Sequence, residues 1–217
     1  MIISKEKKFI YLAVPKTGTT SVQKYLLEND KTATKNSVEI NGKYHKFREH
    51  MTAFKIKSLL GVNYQNFTII GFVRHPYGRI VSSYFFYKKG GKEAWRGKQE
   101  QRSLGDKLRI KSTEILPFKI WALVYPYKSN KEYFIDESDN LIVDLKNIGL
   151  FENLGDDLKD ILFKSRITLK NEISHENKSN HGHKDNYFKN PVFKWLINLK
   201  VKRDLEFYNL VLSRKQL

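Results

Sequence analysis

The 217-residue chain reads as an α/β protein, a single domain over residues 1–217 whose central, mostly parallel sheet is flanked by helices. Three observations predict this. Two apolar runs, Phe9–Val14 and Phe67–Val73, lie about 60 residues apart, and each passes through a turn into a helix-like segment. The second run, Phe-Thr-Ile-Ile-Gly-Phe-Val, is apolar without alternation, as a strand buried on both faces requires. Both turns carry anion-binding chemistry: Pro15-Lys16-Thr17-Gly18-Thr19-Thr20-Ser21 in the first and Arg74-His75-Pro76 in the second. Ligands of such sheets bind beyond the carboxyl ends of the strands, so both turns should face one crevice.

The first unit is expected as a strand over Phe9–Val14, broken by Pro15, then a tight turn and a helix through Val22–Leu27. A strand-turn-helix arrangement aims backbone N–H groups and a positive helix end at a phosphate. Lys16 adds a charge, and Thr17, Thr19, Thr20 and Ser21 add hydroxyl donors. The turn is P-loop-like but not a Walker A loop: its lysine precedes its only glycine, Gly18.

Asn29–Lys46 is polar, with Val38 and Ile40 offering at most a short strand. Thr52 suits a helix N-cap and Gly61 a helix end, with Phe54, Ile56, Leu59 and Leu60 between them. After the second strand, Pro76 begins a helix through Tyr77–Tyr87. Lys88–Arg109 is basic, glycine-containing and weakly periodic, which predicts a loop with at most a short helix. Ile115–Val124 is expected helical, with Pro117 in its first turn. Tyr133–Ile135 and Leu141–Val143 flank a turn-rich pentapeptide and predict a hairpin, and Ile148–Phe151 a further short strand. Asp156 or Asp157 should cap a helix reaching Phe163. Asn171–Asn190 is expected as loop. From Pro191, Val192, Trp195, Leu196 and Leu199, then Leu205, Tyr208, Val211 and Leu212, recur at helical spacing, predicting one bent helix or two short ones packed into the core.

Composition limits the function classes. Lys+Arg 40 against Asp+Glu 23 gives a net charge of +17, so anionic ligands are favoured. The basic residues are scattered rather than striped with stacking aromatics, which argues against a specific nucleic-acid reader. No cysteine is present, excluding disulfides and thiolate metal sites. The first residues lack the apolar core of a signal peptide, and no run approaches the ~20 residues of a membrane span; the expectation is a soluble, cytoplasmic chain.

In the second turn, Arg74 can hold a phosphate bidentately, and Ser82 lies eight residues on, along the following helix. Together, Pro15–Ser21 and Val73–Ser82 resemble the two phosphate-binding segments of the sulfotransferases that use 3′-phosphoadenosine-5′-phosphosulfate (PAPS). The similarity is to the branch containing glycan (heparan- and chondroitin-type) sulfotransferases and short bacterial relatives. It extends to His50-Met51-Thr52-Ala53, Phe151-Glu152-Asn153-Leu154 and His175-Glu176-Asn177-Lys178-Ser179. His75 departs from the pattern, since the family usually carries Asp or Asn there.

This resemblance implies in-line sulfuryl transfer from PAPS to an acceptor hydroxyl or amine, on a glycan or other carbohydrate-containing molecule. It places Lys16, Thr17, Gly18, Thr19, Thr20 and Ser21 on the 5′-phosphosulfate, and Arg74 and Ser82 on the 3′-phosphate, with Lys178 and Ser179 as further contacts. Lys16 and His50 become the catalytic candidates, His50 as general base with His45 in reserve. No metal is expected, although His175, His181 and His183 include a His-x-His pair. Lys88, Lys89, Lys92, Arg96, Lys98 and Arg102 are candidates for lining an acceptor side, with Tyr84, Tyr87 and Trp95 for stacking on sugars. Two rivals stay open at this point: a P-loop-type small-molecule kinase, and a relative that binds the nucleotide or glycan without catalysis.

Overall fold

The computed structural model describes residues 1–90, 103–169 and 184–214. Its residues group into two compact units. One draws on Met1–His75, Ser129–Lys178 and Glu206–Leu217, the other on Pro76–Lys128 and Ser179–Leu205.

The first unit holds a five-stranded sheet ordered β3-β1-β2-β6-β7. Its strands are β1 (Ile2–Ser4), β2 (Phe9–Tyr11), β3 (Ala33–Lys35), β6 (Thr68–Val73) and β7 (Ile148–Leu150). β2, β6 and β7 run parallel, with Phe9 opposite Thr68 and Val73 opposite Leu150. β1 and β3 add an antiparallel edge. Alternate side chains serve opposite faces. Phe9, Tyr11, Ile70 and Phe72 pack with α1 (Thr19–Asn29) and α6 (Leu154–Lys164). Ile3, Ile10 and Ile69 pack on the other face with α2 (Ala53–Leu60) and with Phe207 and Val211. The expected α/β class with a parallel sheet centre flanked by helices is what the chain forms. The edge strand β1 was not expected, because a three-residue strand carries no period to read; yet Met1, Ile2 and Ile3 are wholly buried.

Three expectations in this unit need correction. The polar stretch before His50 folds as a hairpin, β4 (Ser37–Ile40) with β5 (Lys43–Lys46), closed by Asn41-Gly42, both at positive φ. Asn-Gly is the strongest short hairpin signal, so the turn was there to be read. At Asp156 and Asp157 the cap is instead Asn153, and both acids sit in the first turn of α6. Asp157 accepts the Leu150 N–H at 2.7 Å, which ties β7 to the helix. The expected hairpin at Tyr133–Val143 reduces to a single bridge, Ile135 to Leu141. Thr52 does cap α2, accepting from Lys55 N–H at 3.3 Å, and Gly61 ends it.

The second unit is helical: α3 (Pro76–Lys88), α4 (Leu104–Ile115), α5 (Phe118–Val124) and the first part of α7 (Pro191–Ser213). Ser103 caps α4 by accepting the Asp106 N–H, so the helix in the basic region is longer than expected and runs to Ile115. Pro117 lies between two helices rather than inside one: Leu116 before it is extended, as a residue preceding proline prefers, and Pro117 is the N-cap of α5. The core is aromatic. Tyr77, Tyr84, Trp121, Phe188 and Phe193 surround Ile80, Val81 and Ile197. Beside it Arg79 pairs with Asp204 at 3.4 Å, both nearly inaccessible, and Tyr127 donates to the same carboxylate. Tyr84 belongs to this core and Tyr87 packs against it. The loops expected over 91–102 and 170–183, with Trp95, lie outside the described residues.

α7 is one helix with a non-helical kink at Val201. Tyr208 and Val211 are buried as expected, but before the kink the buried face differs from the expected one. Phe193, Ile197 and Val201 point inward, whereas Val192, Trp195, Leu196 and Leu199 are exposed. Two apolar stripes alternate along this segment, and the period alone could not say which faced the core.

Candidate functional site

β2 stops pairing after Leu12, whose N–H reaches Ile70 at 2.7 Å, and the chain enters the turn. Here the two threonines closest to Pro15 fold the loop back on itself. Thr17 Oγ1 donates to the Val14 carbonyl at 2.9 Å and Thr19 Oγ1 to the same oxygen at 2.8 Å. Those hydroxyls therefore shape the turn, a different duty from the phosphate donation expected of them. Lys16 and Gly18 adopt positive φ, 67° and 75°. The glycine is required twice, since a Cβ there would also meet Leu154 Cδ2 at 2.9 Å and the Phe151 ring at 3.1 Å. α1 begins directly at Thr19, earlier than expected. The N–H groups of Thr19, Thr20 and Ser21 precede its first helical hydrogen bond, from Val22 to Gly18.

Arg74, at the end of β6, reaches across to this loop. Its Nη1 donates to the Lys16 carbonyl at 3.2 Å, and its guanidinium lies over the Phe151 ring, 4.2 Å from the centroid. Asn130 Nδ2 donates to the Arg74 carbonyl at 3.3 Å. Parallel pairing of β2 with β6 brings these two turns to the same sheet end. Burial, and then the neighbouring Arg74 charge, lower the Lys16 ammonium to about 8. Two cations held this close favour an anion beside them. The donor set suits a phosphate or sulfate group.

His50 completes the cluster. Its Nδ1 is 2.6 Å from the Ala13 carbonyl oxygen, the last residue but one before Pro15. A carbonyl only accepts, so the neutral imidazole carries its proton on Nδ1 and keeps its lone pair on Nε2. His45 sits elsewhere, on β5 opposite Val38 with its ring stacked on Phe47. His75 uses its N–H on Glu152 at 3.0 Å and packs its ring edge-on to Tyr208. A cavity of about 480 Å³ opens at the opposite end of β6, lined by Lys57, Tyr64, Thr68, Ile69 and Lys164, and shares no residue with the loop.

Comparison with known proteins adds one decisive finding: the sequence model of the family described as "Sulfotransferase family" matches residues 1–210. The chain belongs to the sulfotransferase family. No curated protein and no solved structure matches it in the corresponding comparisons. Sulfuryl transfer is thus the general chemistry of the family to which the cluster belongs.

Of the candidate residues in this sulfotransferase, the structure gathers Lys16, Thr17, Gly18, Thr19, Arg74 and His50 along Ala13–Thr19. Thr20 is exposed and Ser21 buried in the first turn of α1. Ser82 is buried on α3 of the second unit. Lys178 and Ser179 lie outside the described residues, as do His175, His181 and His183. The residues that sequence reading left without a role are Phe151 and Leu154, which wall Gly18, and Asn130. Phe-Glu-Asn-Leu stood out as a segment, but nothing in one sequence shows which ring faces which loop.

Proposed function

We propose that this protein moves a sulfuryl group from PAPS to a hydroxyl or amine of a carbohydrate-containing acceptor, with His50 as general base. The observation that carries this reading is the 2.6 Å contact between His50 Nδ1 and the Ala13 carbonyl. It fixes the ring at the foot of the loop that bears Lys16, with the Nδ1 proton on the Ala13 carbonyl and Nε2 as the basic nitrogen.

The roles follow from charge. Attack of the acceptor oxygen or nitrogen on sulfur breaks the bond from sulfur to the phosphate oxygen, leaving a sulfate ester or a sulfamate and 3′-phosphoadenosine-5′-phosphate (PAP). His50 Nε2 takes the acceptor proton as the new bond forms. Lys16 and the opening N–H groups of α1 stabilise the negative charge gathering on the departing phosphate, an effect worth several kcal/mol where donors are preorganised. Arg74 holds the Lys16 carbonyl, and so the loop, in place and brings its positive charge to the same turn. The exposed position of His50 leaves room for an acceptor. Ser82, Lys178 and Ser179 remain proposed nucleotide contacts by resemblance.

Thermal shift with PAP against ATP, each with and without magnesium, tests the donor. A ligand at 100 times its dissociation constant stabilises by ~2.7 kcal/mol. PAP-selective, metal-independent stabilisation is expected; stabilisation by ATP–magnesium alone would instead support a kinase. PAP release from PAPS over a panel of glycan acceptors then tests the acceptor class.

A further inference from the structure

The unused apolar stripe of α7 has a consequence for where the protein works. Val192, Trp195, Leu196 and Leu199 recur at the spacing of one helix face, and their exposures are 64%, 58%, 37% and 57%. The opposite face, Phe193, Ile197 and Val201, fills the core of the second unit. The stripe extends onto α5. Lys200 Nζ donates to the carbonyls of Ala122 at 3.0 Å, Leu123 at 2.5 Å and Tyr125 at 2.6 Å, fastening the end of α5 beside α7. Leu123 and Val124, exposed by 38% and 63%, stand at that junction.

Charge selects the occupant. From Asn186 to Arg203 the chain carries Lys189, Lys194, Lys200, Lys202 and Arg203 and no acid; from Leu116 to Lys128 it carries Lys119 and Lys128 and no acid. Two copies meeting through this face would oppose like charges on chains of net charge +17 each. An anionic partner is favoured instead. A soluble polyanion satisfies the lysines but offers nothing to Trp195, Val192 and Leu199. An anionic lipid surface satisfies both: acyl chains take the stripe, and headgroups take the flanking cations.

We propose that the α7–α5 face is an interfacial membrane-binding surface that docks the protein on anionic lipid. Among the described residues no helix is long and apolar enough to cross a membrane, so the attachment is peripheral. α7 lies in the plane of the headgroups with Trp195 at the acyl boundary.

The test is cosedimentation of the full chain with vesicles of phosphatidylcholine alone and of phosphatidylcholine with phosphatidylglycerol, read beside intrinsic fluorescence. Binding to the anionic vesicles, weakened by salt, with a blue shift that disappears in Trp195→Phe, is the expected result. The double variant Trp195→Ser/Leu199→Ser should lose at least about tenfold in vesicle affinity while its PAP-induced thermal shift is unchanged. Circular dichroism of the variant checks folding. Should it be perturbed, Lys194→Glu/Lys202→Glu provides the same readout through charge. Absence of binding to anionic vesicles overturns the proposal, as does binding that both double variants retain. A concentration-dependent dimer abolished by Trp195→Ser/Leu199→Ser overturns it too, in favour of a self-interface. Because the PAP shift is read separately, failure here leaves the sulfotransferase reading standing, and the reverse holds.

Discussion

Arg74 and Lys16, 58 residues apart in sequence, are joined by a hydrogen bond from the guanidinium Nη1 to the lysine carbonyl at 3.2 Å. The two turns are thereby one mechanical object. Arg74 is held in turn by the Phe151 ring and the Asn130 amide. Arg74→Lys keeps the charge but loses the planar fork that can bond a carbonyl and an anion together. We expect it to weaken PAP binding by isothermal titration nearly as much as Arg74→Ala does.

Lys16→Ala should lower turnover far more than His45→Ala, because Lys16 belongs to the loop and His45 to the β4–β5 hairpin. Equal losses in PAPS turnover would show the roles to be misassigned.

Lys16 also predicts a pH dependence. Its folded value, about 8, lies below that of an unfolded lysine, near 10.4. Above pH ~8 the unfolded chain therefore binds more of this proton, and the stability of the ligand-free protein gains with rising pH up to roughly 10. PAP affinity should do the opposite, holding steady below pH ~8 and falling above it as the ammonium is lost. Lys16→Met should flatten this component of both curves in thermal-shift series.

His50→Gln should reduce PAPS turnover by about 100- to 10,000-fold, the usual range for removing a general base. PAP binding should stay within a few-fold of wild type. A matching loss of PAP affinity would mean that His50 acts on the nucleotide rather than on the acceptor.

Gly18→Ala meets both a left-handed backbone and the Leu154 and Phe151 side chains. We expect a loss of roughly 1–3 kcal/mol in chemical denaturation, from the φ requirement alone. Gly61→Ala serves as the control: it shares the positive φ but has open space around its Cβ, so it should leave the PAP shift intact.

In the second unit, Asp204→Asn strips the counter-charge from buried Arg79. Breaking such a pair costs about 3–5 kcal/mol. Arg79→Met/Asp204→Leu should recover much of that loss, since neither charge is then left alone.

The sheet centre was legible because β6 is an unbroken apolar run, and the two turns because proline, glycine and cations punctuate them. Contacts that arise only in three dimensions were not. The Thr17 and Thr19 hydroxyls look identical to phosphate donors until the Val14 carbonyl is seen between them. Nothing in the spacing of Phe151 connects it to Gly18, more than a hundred residues away. On α7 both stripes obey the helical period, and burial chose Phe193 and Ile197 over Trp195 and Leu199. His50 could be singled out as a type of residue, but which nitrogen carries the proton depended on Ala13.

The three carbonyls at Ala13, Val14 and Lys16 are each met by a side chain of the protein itself: His50, the Thr17–Thr19 pair and Arg74. The residue interrupting them, Pro15, has no N–H to contribute. Three carbonyls of this segment are thus engaged by the chain's own side chains before any ligand arrives. Lys16, Arg74 and the opening N–H groups of α1 then stand beside it as donors to a guest that brings oxygen lone pairs.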